Sequence, residues 1–262
     1  MRKYAFTQET PDPAAVLSAV TEFGLAHLPG IVEGEELDRI QKQCGRLLTE
    51  PPGHVEHMDY DNGIGLHARR DRLAADFGQL SSLFDSEWML SVAESYFQGS
   101  PYVFNYDLIC VLDVAGTRHP AHQPHYDRLP NLKFFVYLSD TTEYNGAFRC
   151  LPGSQGYGKH VQRENRLRFV LPHLAEPRAL PAELRRGIGP VEGPAGTVLV
   201  IDSDLIHQAG TVTAGDRMVV RSRSFHPQYL AGPPPAGAPA AGAPAAGGGP
   251  DICQDQGSRP LI

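Results

Sequence analysis

Residues 196–225 read GTVLVIDSDLIHQAGTVTAGDRMVVRSRSF. Two strand-length runs, TVLVI (197–201) and RMVVRSRSF (217–225), flank a stretch of Asp, Gly and Thr, which is turn chemistry. The same character extends upstream, in FRCLP (148–152), LKFFVYLSD (132–140) and YVFNYDLICVLDV (102–114). All are short and rich in β-branched and aromatic residues, with Gly, Pro, Asn and Asp between them. That pattern predicts an all-β sandwich or barrel over residues 101–230.

Residues 10–100 carry a helical period instead. Pro11-Asp12-Pro13 is a helix start, with Asp12 as N-cap and Pro13 at the first helical position. Val16, Leu17, Val20 and Phe23 fall close to one stripe, and Gly24 ends it. LAHLPGIV (25–32) predicts a short strand, after which Leu37, Ile40, Cys44, Leu47 and Leu48 form one helix face. PPGHVEHMDYDNGIG (51–65) reads as loop. The polar stretch from Met58 to Arg72 reads as a surface or substrate-facing loop. Further helices are expected around Leu73–Phe77 and Ser86–Phe97. The expected fold class is therefore mainly β with flanking helices, as one domain over 1–230. Beyond it, AGPPPAGAPAAGAPAAGGGP (231–250) is low-complexity sequence, and a disordered tail is expected over 231–262.

Composition narrows the function classes. The net charge of -7 gives no electrostatic reason to expect a nucleic-acid partner. No run approaches the roughly 18 apolar residues of a membrane span. The start, MRKYAFTQETPDP, has no apolar segment after its basic residues, so no signal peptide is expected and the default compartment is the cytoplasm. Cys44, Cys110, Cys150 and Cys253 lack C-x-x-C spacing and read as isolated structural thiols. Oligomeric state is not legible.

The chemistry centres on His125-Tyr126-Asp127. On a strand, residues i and i+2 share a face, so an imidazole and a carboxylate lie side by side. His207 follows eighty residues later, just past a predicted strand. Two histidines and one carboxylate suit a non-haem iron(II) facial triad, which leaves positions open for cosubstrate and dioxygen. H-x-D alone is weak, and context strengthens it. Alternation puts Arg217, Arg221 and Arg223 on one face of the last strand, and an inward arginine suits a carboxylate ligand. A solvated arginine face is the bland alternative. His122 pairs with His125 as H-x-x-H, yet on a strand the two would point apart, so His122 reads as outer or surface.

These segments resemble the phytanoyl-CoA dioxygenase family from about Ala15 to His226. The resemblance is carried by FGLAHLPGIVEGEELDRI (23–40), HYD (125–127), LKFFVYLSDTTEYNGAFRCLPGSQ (132–155), GTVLVIDSDLIHQAG (196–210) and Asp216-Arg217. It implies a double-stranded β-helix, a cupin-like jelly-roll, with helices packed outside. It also implies Fe(II), with 2-oxoglutarate and O2 as cosubstrates, and decarboxylation to succinate and CO2 coupled to oxidation of a small molecule. The resemblance assigns His125, Asp127 and His207 to the metal. It assigns Arg217, or Arg221, to the distal carboxylate of 2-oxoglutarate. Arg217 lies slightly closer to the second His than is usual in the family, and Gln155 stands where the family often has His. Lys133 falls at a cosubstrate-contact position, and reads as a second partner for that carboxylate, a contact for an anionic substrate or a solvent-reaching lysine. Asn105 is expected to line the pocket. Related halogenases replace the carboxylate with a small residue, so Asp127 predicts no halogenation.

Two alternatives use the same residues. One is a cupin-type metal oxygenase without 2-oxoglutarate, for which an inward Arg217 has no obvious purpose. The other is a non-catalytic jelly-roll, against which an intact triad argues. The substrate is expected to be a small metabolite with polar or anionic groups, of a kind met in bacterial tailoring pathways.

Overall fold

The structure is a computed structural model, which describes residues 10–58, 61–73, 75–127, 129–160 and 180–227. The low-complexity tail at 231–262 lies outside the described residues. Helix α1 (Pro13–Phe23) starts as the sequence dictates. Asp12 accepts the Ala14 amide at 3.1 Å, Pro13 opens the first turn, and Gly24 closes the helix at φ 75. Gly24 is doubly required, because a Cβ there would also lie 2.8 Å from the Leu205 side chain. The chain passes directly into β1 (Leu25–Leu28), an edge strand paired antiparallel with β8 (Val198–Asp202). Helix α2 (Gly34–Thr49) buries Ile40, Cys44, Leu47 and Leu48, the face predicted from their spacing.

The stretch read as a loop is a β-hairpin. Strands β2 (Glu56–Met58) and β3 (Asp61–Arg69) pair antiparallel, and β3 also pairs with β4 (Val103–Arg118). Asn62 takes φ 58, and a Cβ at Gly63 would meet Thr117, so these turn-forming residues accommodate an irregular pairing with β4. Short helices α3 (Arg70–Leu73) and α4 (Gly78–Ser82) replace the one helix expected near Leu73–Phe77, and α5 (Glu87–Phe97) follows.

The large sheet has seven antiparallel strands in the order β1-β8-β5-β10-β4-β3-β2, with β5 at Asn131–Tyr137 and β10 at Asp216–Phe225. A small sheet, β7-β6-β9, combines β6 (Phe148–Cys150), β7 (Gly189–Val191) and β9 (His207–Gln208). Alternation gives the large sheet two faces. Phe134, Val136, Val200, Val220, Leu108 and Cys110 are buried on the face that meets the helices, where the Trp88 ring lies edge-on to Phe134 at 6.1 Å. The other face looks toward the small sheet. Fully buried Tyr137 joins the two: its hydroxyl donates to the Val191 carbonyl at 2.6 Å and accepts the Phe148 amide at 3.0 Å. The fold is a mainly β jelly-roll with helices packed outside it, as expected. Among the described residues no helix is long and apolar enough to cross a membrane.

Candidate metal centre

His125 and Asp127 sit on an extended segment rather than on the predicted strand. Pro124 and Pro130 bracket it, and proline has no amide to give a ladder. The segment pairs instead with the turn leading into β9. His125 and His207 exchange backbone hydrogen bonds at 2.8 and 2.7 Å, and the Asp127 amide donates to the Ser203 carbonyl at 2.9 Å. His125 and Asp127 therefore point to the same side without a regular strand. His125 and His207 face each other with ring centroids 4.4 Å apart, and Phe148 stacks on His207 at 5.5 Å.

One ligand atom from each of His125, Asp127 and His207 lies within 4.8 Å of the other two. The imidazoles are oriented by the backbone. Nδ1 of His125 bonds the Gln123 carbonyl, and Nδ1 of His207 bonds the Leu205 carbonyl, each at 2.7 Å. A carbonyl only accepts, so both Nδ1 atoms carry the proton and both Nε2 lone pairs point to the centre. Asp127 Oδ1 is 3.9 Å from His125 Nε2 and 3.4 Å from His207 Nε2. Its Oδ2 accepts from Asn131 at 3.0 Å and from Lys133 at 2.7 Å. Two neutral imidazoles and one ionised carboxylate, each held by an outer partner, form a donor set that fits a divalent metal.

Electrostatics agree. Burial pushes His125 down to about 3, with His207 adding to it and Asp127 opposing. Burial also lowers His207, and Lys133 reinforces this. Burial pushes Asp127 up, but the adjacent Lys133 ammonium outweighs it and holds the carboxyl well below its usual range. Lys133 falls to about 8 through burial, against the pull of Asp127. Lys133 is only 2% exposed, which removes the solvent-reaching reading.

A cavity between the sheets opens beside the triad. Lys133, Phe135, Phe148, Arg217 and Arg221 line it together with His125 and His207. Thus β10 does turn its odd-numbered arginines inward, and the anions they meet include the protein's own. Arg217 pairs with Asp113 and donates to the Gly146 carbonyl, while Arg223 is clamped on Asp107. Arg217 Nε and Asp113 Oδ1 have no hydrogen-bond partner among the described residues.

Asn105 does not line this cavity. Its φ of 45 and the adjacent register shift against β10 turn it out of alternation. Its side chain donates to the Phe84 carbonyl and accepts from Ser222, which ties the sheet to the helical layer. His122 lies on a one-turn 3-10 helix at 120–122, not on a strand. Its Nε2 is buried, although the residue as a whole is half-buried, and it is close enough to Asp113 and Arg217 to feel their charge. Sequence reasoning missed Asn131 and Asp113. Asp113 is visible only through the pairing of Arg217 with that residue across β10 and β4. Asn131 has no local signal.

The family model described as phytanoyl-CoA dioxygenase matches residues 20–219, about three-quarters of the chain. No curated protein matches it. Solved structures similar in fold include AviO1 from Streptomyces viridochromogenes Tue57, at 21% identity and TM-score 0.57 over 86% of this chain and 98% of that one. The epimerase SnoN from nogalamycin biosynthesis, solved with Fe3+, alpha ketoglutarate and nogalamycin RO, aligns at 20% identity and TM-score 0.61 over 90% of this chain and 97% of that one. EctD from S. alaskensis with bound Fe aligns at 21% identity and TM-score 0.57, covering 85% and 81% of the two chains. With the jelly-roll in place and the family model covering most of both sheets, the chain belongs to the phytanoyl-CoA dioxygenase family of non-haem iron, 2-oxoglutarate-dependent oxygenases.

Proposed function

We propose that this protein uses iron(II), 2-oxoglutarate and O2 to hydroxylate a small-molecule metabolite, releasing succinate and CO2. The observation that carries the reading is the convergence of His125 Nε2, His207 Nε2 and Asp127 Oδ1, with each imidazole locked by a backbone carbonyl. In this reading those three atoms hold the metal, and the bound iron supplies the activation of dioxygen. Because the ligands occupy one side only, positions remain for the cosubstrate and O2.

The chain's own residues do the rest. Arg217, deep in the cavity with an uncommitted Nε, binds the distal carboxylate of 2-oxoglutarate. Asp113 offsets part of its charge, so Arg221, on the same wall, adds attraction. Phe135, Phe148 and Val219 exclude water around the reacting groups. With Asp127 in place, no halogenated product is expected.

The test is succinate formation from 2-oxoglutarate by purified protein. It should require iron(II) and vanish in Asp127→Ala. Arg217→Met should raise the KM for 2-oxoglutarate more than Arg221→Met does. Succinate formation that survives Asp127→Ala contradicts the reading, and iron binding without any 2-oxoglutarate turnover favours a cupin-type oxygenase.

A further inference from the structure

We propose that Lys133 is a built-in competitor for the metal: its ammonium occupies the His207 lone pair in the metal-free protein and must leave it before a metal can bind. This rests on the reading that His125, Asp127 and His207 hold iron. Lys133 stands in the middle of the large sheet, paired with Ile201 on β8 and Arg223 on β10, and its side chain is almost fully buried. Its Nζ lies 3.2 Å from His207 Nε2 and 2.7 Å from Asp127 Oδ2.

His207 has one lone pair to give. Nδ1 is protonated and spent on the Leu205 carbonyl, so Nε2 accepts either a hydrogen bond from Lys133 or a metal, never both. Asp127 differs, because it has two oxygens with separate duties. Oδ1 is the oxygen nearer the imidazoles, and Oδ2 takes Lys133 and Asn131. Lys133 can therefore keep Asp127 while surrendering His207. The other carboxylates on this face, Asp107 and Asp113, are engaged by Arg223 and Arg217, so Asp127 remains its anchor. Displaced only that far, the ammonium stays close to the bound cation and repels it. Both effects weaken metal binding.

A residue that merely oriented Asp127 would have the opposite effect, since removing an outer partner of a ligand costs affinity. The sign of one measurement therefore decides. Apo-protein is titrated with Co(II) and with Zn(II) against a chromophoric chelator, for wild type, Lys133→Met and Lys133→Gln, with circular dichroism to verify folding. The expected result is binding tighter by on the order of tenfold or more in Lys133→Met, from the repulsion removed. If that variant does not fold, Lys133→Gln answers, because its amide can still donate to Asp127 without carrying charge. Unchanged or weaker binding in the folded variant overturns the proposal while leaving the metal reading intact. No binding by any of the three proteins overturns both.

Discussion

The two faces of the large sheet come from the same strands and obey opposite rules. Toward the helices, Phe134, Val136, Val200 and Val220 make a dry apolar layer. One residue along each strand, Lys133, Arg217, Arg221, Arg223, Asp107 and Asp113 point the other way, and several are as deeply buried. Charge at that depth is tolerated because each carboxylate meets a cation. Apolar burial holds the sheet together, whereas the charged face holds a cavity open and supplies it with ligands. The two faces should therefore fail differently when mutated.

The largest separation is expected at the metal. His207→Ala should weaken metal binding by more than about 100-fold, beyond what outer-partner losses cost, with little loss of fold. On the other face, Phe134→Ala should destabilise by about 3–5 kcal/mol through a cavity, while the folded fraction binds metal normally. Metal titration alongside denaturant melts checks both, and a metal defect in Phe134→Ala would break the division. Next comes Arg223→Met, which takes the arginine from Asp107 and leaves it the His67 contact at 2.9 Å, and should cost up to about 3 kcal/mol. Adding Asp107→Asn should recover part of that in the same melts, and no recovery would mean that the ion pair is not what the charged face depends on.

The metal-free protein should also lose stability in mild acid. An imidazole held below its ordinary 6.5 is protonated first in the unfolded chain, so falling pH favours unfolding. For His125, held at about 3, the loss runs from about 6.5 down to about 3, and for His119, at about 4, it levels off near 4. Buried carboxylates with depressed values enter only below that range's upper half. The urea midpoint should therefore fall from pH 7.5 to pH 5, and a flat or rising midpoint contradicts the neutral-imidazole centre. The smallest effect is Asn105→Ala, about 1–2 kcal/mol from two lost hydrogen bonds, with no change in KM for 2-oxoglutarate.

Asn105 also marks where sequence reading stops. Strict alternation from Asp107 would turn it inward, but a positive φ and a shifted register turn it out, and neither leaves a trace in the local sequence. Arg217, Arg221 and Arg223 were legible because β10 keeps a regular register with β4 along their whole span. Their partners Asp113 and Asp107 were not, because strand register is a non-local property. The β2–β3 hairpin was hidden for another reason: it lies at a sheet edge, is rich in Gly, Asn and Asp, and is partly exposed, so it lacks the apolar alternation of a buried strand. The triad was readable from H-x-D and a distant His, although the segment carrying His125 and Asp127 is extended loop.

The central claim is that this centre binds iron(II) and chelates 2-oxoglutarate. Anaerobic addition of both to apo-protein, followed by visible absorption, tests it most directly. A weak metal-to-ligand charge-transfer band should grow in wild type, vanish in His125→Ala and Asp127→Ala, and weaken in Arg217→Ala. Iron binding without a band, or a band that survives loss of Asp127, would contradict it.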